Sequence, residues 1–180
     1  RAHLAFPCLD QPDLKARFAL RLDAPADWQT VANASEVARE VEGGRQRVRF
    51  AETKPLPTYL FGFVAGAFTV EHAVRNGRAL RMFHRETDAA KVARNRDALF
   101  DLHATALGWL EDYTAIRYPF DKLDFVLIPS FQFGGMEHAG AILYNAANMM
   151  LDETATQNQL LNRASTIAHE TAHMWFGDLV

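Results

Sequence analysis

Cysteine is nearly absent from this 180-residue chain: Cys8 stands alone, which excludes an intrachain disulfide and any zinc site built on cysteine. A single thiol fits a reducing compartment without requiring one, so the localisation stays open between a cytoplasmic and a periplasmic or secreted soluble protein. Long apolar runs are missing too. The longest, Tyr59 to Val70, has twelve residues including two glycines and a threonine, against the roughly 20 that a membrane span needs. It is read instead as a strand or pair of strands buried on both faces. Neither sign of charge dominates, with 19 Lys and Arg against 22 Asp and Glu and a formal net charge of −3. Lacking surplus cations to neutralise phosphates, the chain is not expected to have nucleic acid as its main partner. No internal repeat or low-complexity tract occurs, and the hydrophobic fraction of 49% is that of an ordinary globular protein. No signal peptide or initiator Met opens the sequence, which reads as part of something longer.

What is present falls into two textures. From Leu14 to about Arg75, short alternating runs are separated by turn residues. Residues 15–22 place Phe18, Leu20 and Leu22 on one face and Arg17 and Arg21 on the other, the period of a half-buried strand. Gly43-Gly44 followed by 45–51 is a turn and then a strand, with Arg45, Arg47 and Arg49 on a solvated face. This is antiparallel β material. After Asn76-Gly77, residues 88–118 have no proline and carry Val92, Leu99, Leu102, Ala106, Leu110 and Tyr113 at helical spacing. A strand is expected over 123–128 and a strand, glycine turn and second strand over 131–144. Thr156 and Gln159 have the form of a capping box that opens a helix running to about Phe176.

The last helix contains His169-Glu170-Thr171-Ala172-His173. Positions i and i+4 lie one above the other on a helix, so His169 and His173 can share one Zn²⁺. Glu170, one residue round, can take a proton from water at such a metal. Seven histidines and ten glutamates in 180 residues give only about 0.015 chance occurrences of this pattern. The flanks Ile167-Ala168 and Met174-Trp175-Phe176 are apolar, and a buried helix would not carry these polar groups without a purpose. Two imidazoles leave a catalytic site one protein ligand short. Asp178 is too close along the same helix end. Glu137, His138, Asp152 and Glu153 could contribute only through long-range folding, and the third ligand is expected beyond residue 180.

Gly134-Gly135-Met136-Glu137-His138 is the second feature. Paired glycines before an acid suit a close backbone approach to a ligand, and a carboxylate there could hold an ammonium group. Alone, it reads more readily as a plain β-turn with a surface glutamate. Taken together, the two features resemble the M1 family of zinc aminopeptidases, which includes aminopeptidase N and leukotriene A4 hydrolase. That family carries G-x-M-E-N and, about 30 residues on, H-E-x-x-H followed by 18 residues and a Glu. Trp175-Phe-Gly-Asp-Leu-Val180 is similar to its W-F-G-[ND]-L-V continuation, and Ala5-Phe-Pro-Cys-Leu-Asp-Gln-Pro-Asp-Leu-Lys15 to its A-F-P-C-x-D-E-P-x-x-K segment.

The resemblance implies an α+β chain. Residues 1–78 would be the closing strands of an antiparallel β N-terminal domain, and 79–180 the first half of a thermolysin-like (gluzincin) catalytic domain. His169 and His173 would be zinc ligands and Glu170 the general base. Glu137 would bind the α-amino group of a peptide substrate, with Gly134, Gly135 and Met136 along its main chain. Three departures stand out: His138 replaces Asn, Ala139 replaces Pro, and the third ligand falls twelve residues past Val180. A zinc endopeptidase, a catalytically silent peptide-binding module and an epoxide hydrolase side activity are the alternatives. His3, His72, His84 and His103 are read as surface or packed residues, Trp28 and Trp109 as packing aromatics, and Cys8 as a small buried hydrophobe.

Overall fold

Charged and apolar residues alternate through Arg45–Phe50, and the strand they form buries Gln46, Val48 and Phe50 while its arginines face solvent. A computed structural model describes residues 2–180. In it, strands β1 (Arg21–Pro25), β3 (Glu36–Glu42) and β4 (Arg45–Phe50) make an antiparallel sheet in the order β1-β4-β3. Strands β2 (Gln29–Ala32) and β5 (Phe63–Gly66) pair separately, also antiparallel. The strand expected at 15–22 is displaced to β1. Upstream of it Ala16 and Leu56 form a lone bridge. The cause is the partner segment: Pro55 and Pro57 flank Leu56 and donate no N–H, so a longer ladder cannot form. The 59–70 run is likewise not buried on both faces. Leu60 is fully buried, but Phe63 is 53% exposed, and the run is divided between a 3₁₀ turn, β5 and the start of the next strand.

That strand, β6 (Thr69–Arg75), forms a hairpin with β7 (Arg78–His84) through Asn76-Gly77, both at positive φ. The sheet continues with β8 (Leu123–Ile128), β10 (Ala141–Asn145) and the short β9 (Gly135–Met136), in the order β6-β7-β8-β10-β9. β7–β8 and β8–β10 are parallel, so long crossovers are needed, and helix α1 (Ala89–Thr114) is the first. The Asp88 carboxylate accepts from Ala90 N and Lys91 N and starts it. It ends at Thr114, earlier than the expected 118. Ala115 turns left-handed at φ 54°, and the Glu111 carboxylate then takes the N–H of Tyr118. The 78/79 boundary implied by the resemblance falls inside the β6–β7 hairpin. Hydrogen bonding makes that hairpin one piece with the second sheet, and we propose a junction just before Thr69.

Both faces of this sheet are covered. Leu80, Met82, Phe125, Leu127 and Tyr144 meet the helices through Leu99, Phe100 and Ile167, joined by Trp175 just past the last helix. On the opposite face Phe83, Val126 and Ala141 pack against Val31 of the first unit. Two further helices follow β10: short α2 (Ala146–Met149) and α3 (Gln157–His173). The Thr156–Gln159 capping box is formed as expected. No helix among the described residues is long and apolar enough to cross a membrane.

Candidate active site

Helix α3 packs on α1 through Ile167 and leaves one turn of its other side open. There His169 and His173 stand with ring centroids 4.7 Å apart and their Nε2 atoms separated by 3.2 Å. Two nitrogens bound tetrahedrally at about 2.0–2.1 Å would be roughly 3.3–3.4 Å apart, so the pair is set at a metal-binding spacing. The Nδ1–H of His173 donates to Phe176 O at 3.1 Å, which leaves the Nε2 lone pair for a ligand. Donor atoms of His169, Glu170 and His173 all lie within 4.8 Å of one another. This set suits a transition-metal ion. Among the described residues, no ligand from outside this helix turn joins the two imidazoles. Asp152 and Glu153 are drawn away to Lys91 and Arg94.

Glu170 is 6% exposed, on the buried flank of the helix. Burial pushes its pKa up to about 7; the Glu137 carboxylate adds to this and His173 works against it. It is thus poised to take or give a proton near neutrality. Asp178 is 2% exposed and neither carboxylate oxygen has a hydrogen-bond partner among the described residues. Its pKa is pushed to about 8, first by burial and then by Glu137. Nothing in the local pattern of the sequence signalled that Asp178 would be an orphan.

The glycine pair runs beside this helix. β9 pairs only with β10 and forms the edge of its sheet. A Cβ on Gly135 would stand 2.5 Å from Cγ and Cδ of Glu170, so only glycine lets strand and carboxylate meet. The next acid, Glu137, acts electrostatically on Glu170, Asp178 and Tyr59. Gly134, Gly135, Met136 and Glu137 are therefore brought together with His169, Glu170 and His173. His138 turns away from them: its Nδ1–H donates to Leu60 O at 3.0 Å, and its ring fills the space left by Gly62. Met136 packs with Leu56, Leu60 and Ala139.

Asn33, not foreseen from sequence, locks this loop to the first unit. Its amide donates to Leu60 O and Ala139 O, and its oxygen accepts from Gly62 N, each at 2.9 Å. The signal was an amide inside the run Val31-Ala32-Asn33-Ala34, where a buried side chain must be satisfied. Of the scattered histidines, His103 is buried between Leu99 O and the Tyr144 hydroxyl and stacked on Phe125. Cys8 is half-buried rather than buried, because the segment around it lies along the surface. Trp109 is 61% exposed and stacks on Tyr113 along the outer side of α1, and Trp28 is 37% exposed; neither is a core residue.

Comparison with known proteins gives this geometry a context. Residues 1–60 match the Peptidase M1 N-terminal domain and residues 99–180 the Peptidase family M1 domain. Aminopeptidase M1-C of Oryza sativa subsp. japonica is 34% identical over 99% of this chain and 20% of its own length. Glutamyl aminopeptidase of Mus musculus is 32% identical over 99% of the chain and 19% of its length. Probable aminopeptidase 2 of Sulfurisphaera tokodaii is 35% identical over 97% of the chain and 22% of its length. The chain spans about a fifth of the length of the curated relatives it matches. With both of the family's domain models matched in order along it, the chain belongs to peptidase family M1.

Proposed function

We propose that this sequence carries the amine site and part of the metal site of a zinc-dependent aminopeptidase that removes N-terminal residues from peptides. One observation carries the reading: the Glu137 carboxylate lies at the end of a free sheet edge, close enough to Glu170 to raise its pKa. A peptide added antiparallel to β9 would present its α-ammonium to Glu137 and its first peptide bond to Glu170. The backbone of Gly134, Gly135 and Met136 would hold the main chain.

His169 and His173 would hold the zinc ion, which supplies Lewis acidity and lowers the pKa of water. Glu170 then accepts a proton from the attacking water at its carboxylate and returns it to the departing amine nitrogen. Burial serves this step by strengthening the carboxylate's hold on the proton it takes up. The carboxylate of Glu137 accepts hydrogen bonds from the substrate ammonium and sets where cleavage falls. With two imidazoles for the metal, the 180-residue chain alone is expected to bind zinc weakly and turn over little.

The test uses a chain of the relatives' full length carrying this sequence, loaded with zinc. It is given a peptide and the N-acetylated twin, and products are followed by mass spectrometry. Stepwise loss of residues from the free peptide alone is the expected result. Internal cleavage of both twins would make the protein an endopeptidase, and cleavage of neither despite bound zinc would make it a silent binding module.

A further inference from the structure

Arg163 lies on α3 seven residues before Glu170, two turns along the same buried face. Its side chain is 7% exposed. One terminal nitrogen, Nη1, donates to Asn95 Oδ1 at 2.7 Å and to Met149 O at 3.2 Å, while Nε has no hydrogen-bond partner among the described residues. No carboxylate among the described residues pairs with the guanidinium, and burial alone acts on it, pulling its pKa down. A buried cation without a counter-charge is costly, and such groups are ordinarily matched by an anion.

A cavity of about 360 Å³ opens beside it between α2 and α3, where Asn148, Gln159, Asn162, Ser165 and Thr166 join Arg163 in the lining. The lining offers amides and hydroxyls around one cation and holds no acid. One lining residue also borders the segment leading into β9: the Thr166 methyl lies 3.9 Å from where a Cβ of Gly134 would stand. A peptide running antiparallel to β9 from Glu137 heads this way. Seven helical residues from Glu170 to Arg163 span about 10 Å, the reach of about three extended residues.

We propose that this cavity takes the carboxylate terminus of a short peptide, with Arg163 as its counter-charge, so that the favoured substrates are peptides of three or four residues. The inference rests on the reading of Glu137 as the amine site. It makes Arg163 a specificity determinant, distant from the bond that breaks.

The full-length zinc-loaded protein is assayed with a tetrapeptide and with its C-terminal amide. The amide should show a KM roughly 10- to 100-fold higher with little change in kcat, the effect of one lost charge-assisted contact. Two variants remove the distinction by different routes. Arg163→Gln deletes the cation, and Asn162→Asp, at an exposed lining position, puts a carboxylate in the cavity that repels the one on the peptide. In both, the acid and amide KM values should converge. If Arg163→Gln does not fold, Asn162→Asp decides alone. Equal trimming of acid and amide by the unmodified protein overturns the inference and leaves the aminopeptidase reading standing. So does an acid preference that survives in Asn162→Asp at an unchanged melting temperature. Cleavage of neither peptide overturns both.

Discussion

Gly135 and Glu170 touch so closely that a methyl group on the glycine would sit 2.5 Å from Cγ and Cδ of the glutamate. The buried carboxylate owes its position to the bare backbone opposite it. Gly135→Ala should push Glu170 aside and lower kcat about 100-fold, the scale expected of a misplaced catalytic group. Single-turnover cleavage checks this, and wild-type kcat in the variant would show that the contact is irrelevant.

Glu170→Gln tests the proton transfer itself. The amide keeps the shape of the carboxylate and cannot accept a proton, so kcat should fall roughly 10²- to 10⁴-fold while zinc content stays at the wild-type level. His173→Ala should instead lose the metal. Metal analysis after dialysis separates the two, and full zinc in His173→Ala would remove that histidine from the ligand set.

Glu137→Gln addresses recognition of the amine. Losing a charge-assisted contact should raise KM for free peptides roughly 10- to 100-fold. It should also narrow the gap between a free peptide and its N-acetylated twin. Steady-state kinetics on both twins provide the comparison, and an undiminished gap would place amine recognition elsewhere.

His103 makes a prediction about acid stability. Complete burial holds its pKa down at about 4, against 6.5 for the ordinary imidazole, with the Leu99 carbonyl opposing the shift. Below pH 6.5 the unfolded chain takes up a proton that the folded chain refuses. The stabilisation is therefore complete above pH 6.5 and is lost as pH falls toward 4. By pH 5 it should have cost roughly 2 kcal/mol. Thermal melts at pH 7 and pH 5 should show this drop, reduced in His103→Gln. Identical pH sensitivity in that variant would assign the effect to other groups.

Asn33→Ala leaves Gly62 N and Ala139 O without their buried partner. Unfolding by denaturant should report a loss of roughly 3 kcal/mol. KM for peptides should rise as well, because the segment after Glu137 is no longer clamped. A stability loss with unchanged KM would confine Asn33 to a structural role.

Local features were legible in the sequence. The spacing of His169, Glu170 and His173 needs only helix geometry, and the Thr156–Gln159 box is decided within four residues. The alternation in Arg45–Phe50 foretold its strand. Misreadings arose where a distant partner decided the outcome. The strand expected at 15–22 fails because prolines forty residues away cannot donate to it. Asn33 meets Ala139 across 106 positions, His138 meets Leu60 across 78, and Arg163 meets Asn95 across 68. No periodicity records such meetings. The orphaned state of Asp178 is of the same kind, since it depends on what fails to arrive in space.

The Asn33 lock also gives the molecule a direction in time. The ribosome delivers residues 29–63 before the loop that carries Glu137, and those earlier residues hold the carbonyls and amide against which the loop is later fixed. The first unit thus supplies the surface against which the loop carrying Glu137 is fixed. On the reading of Glu137 proposed above, damage to Asn33, Leu60 or Gly62 would reach substrate recognition as a failure of assembly.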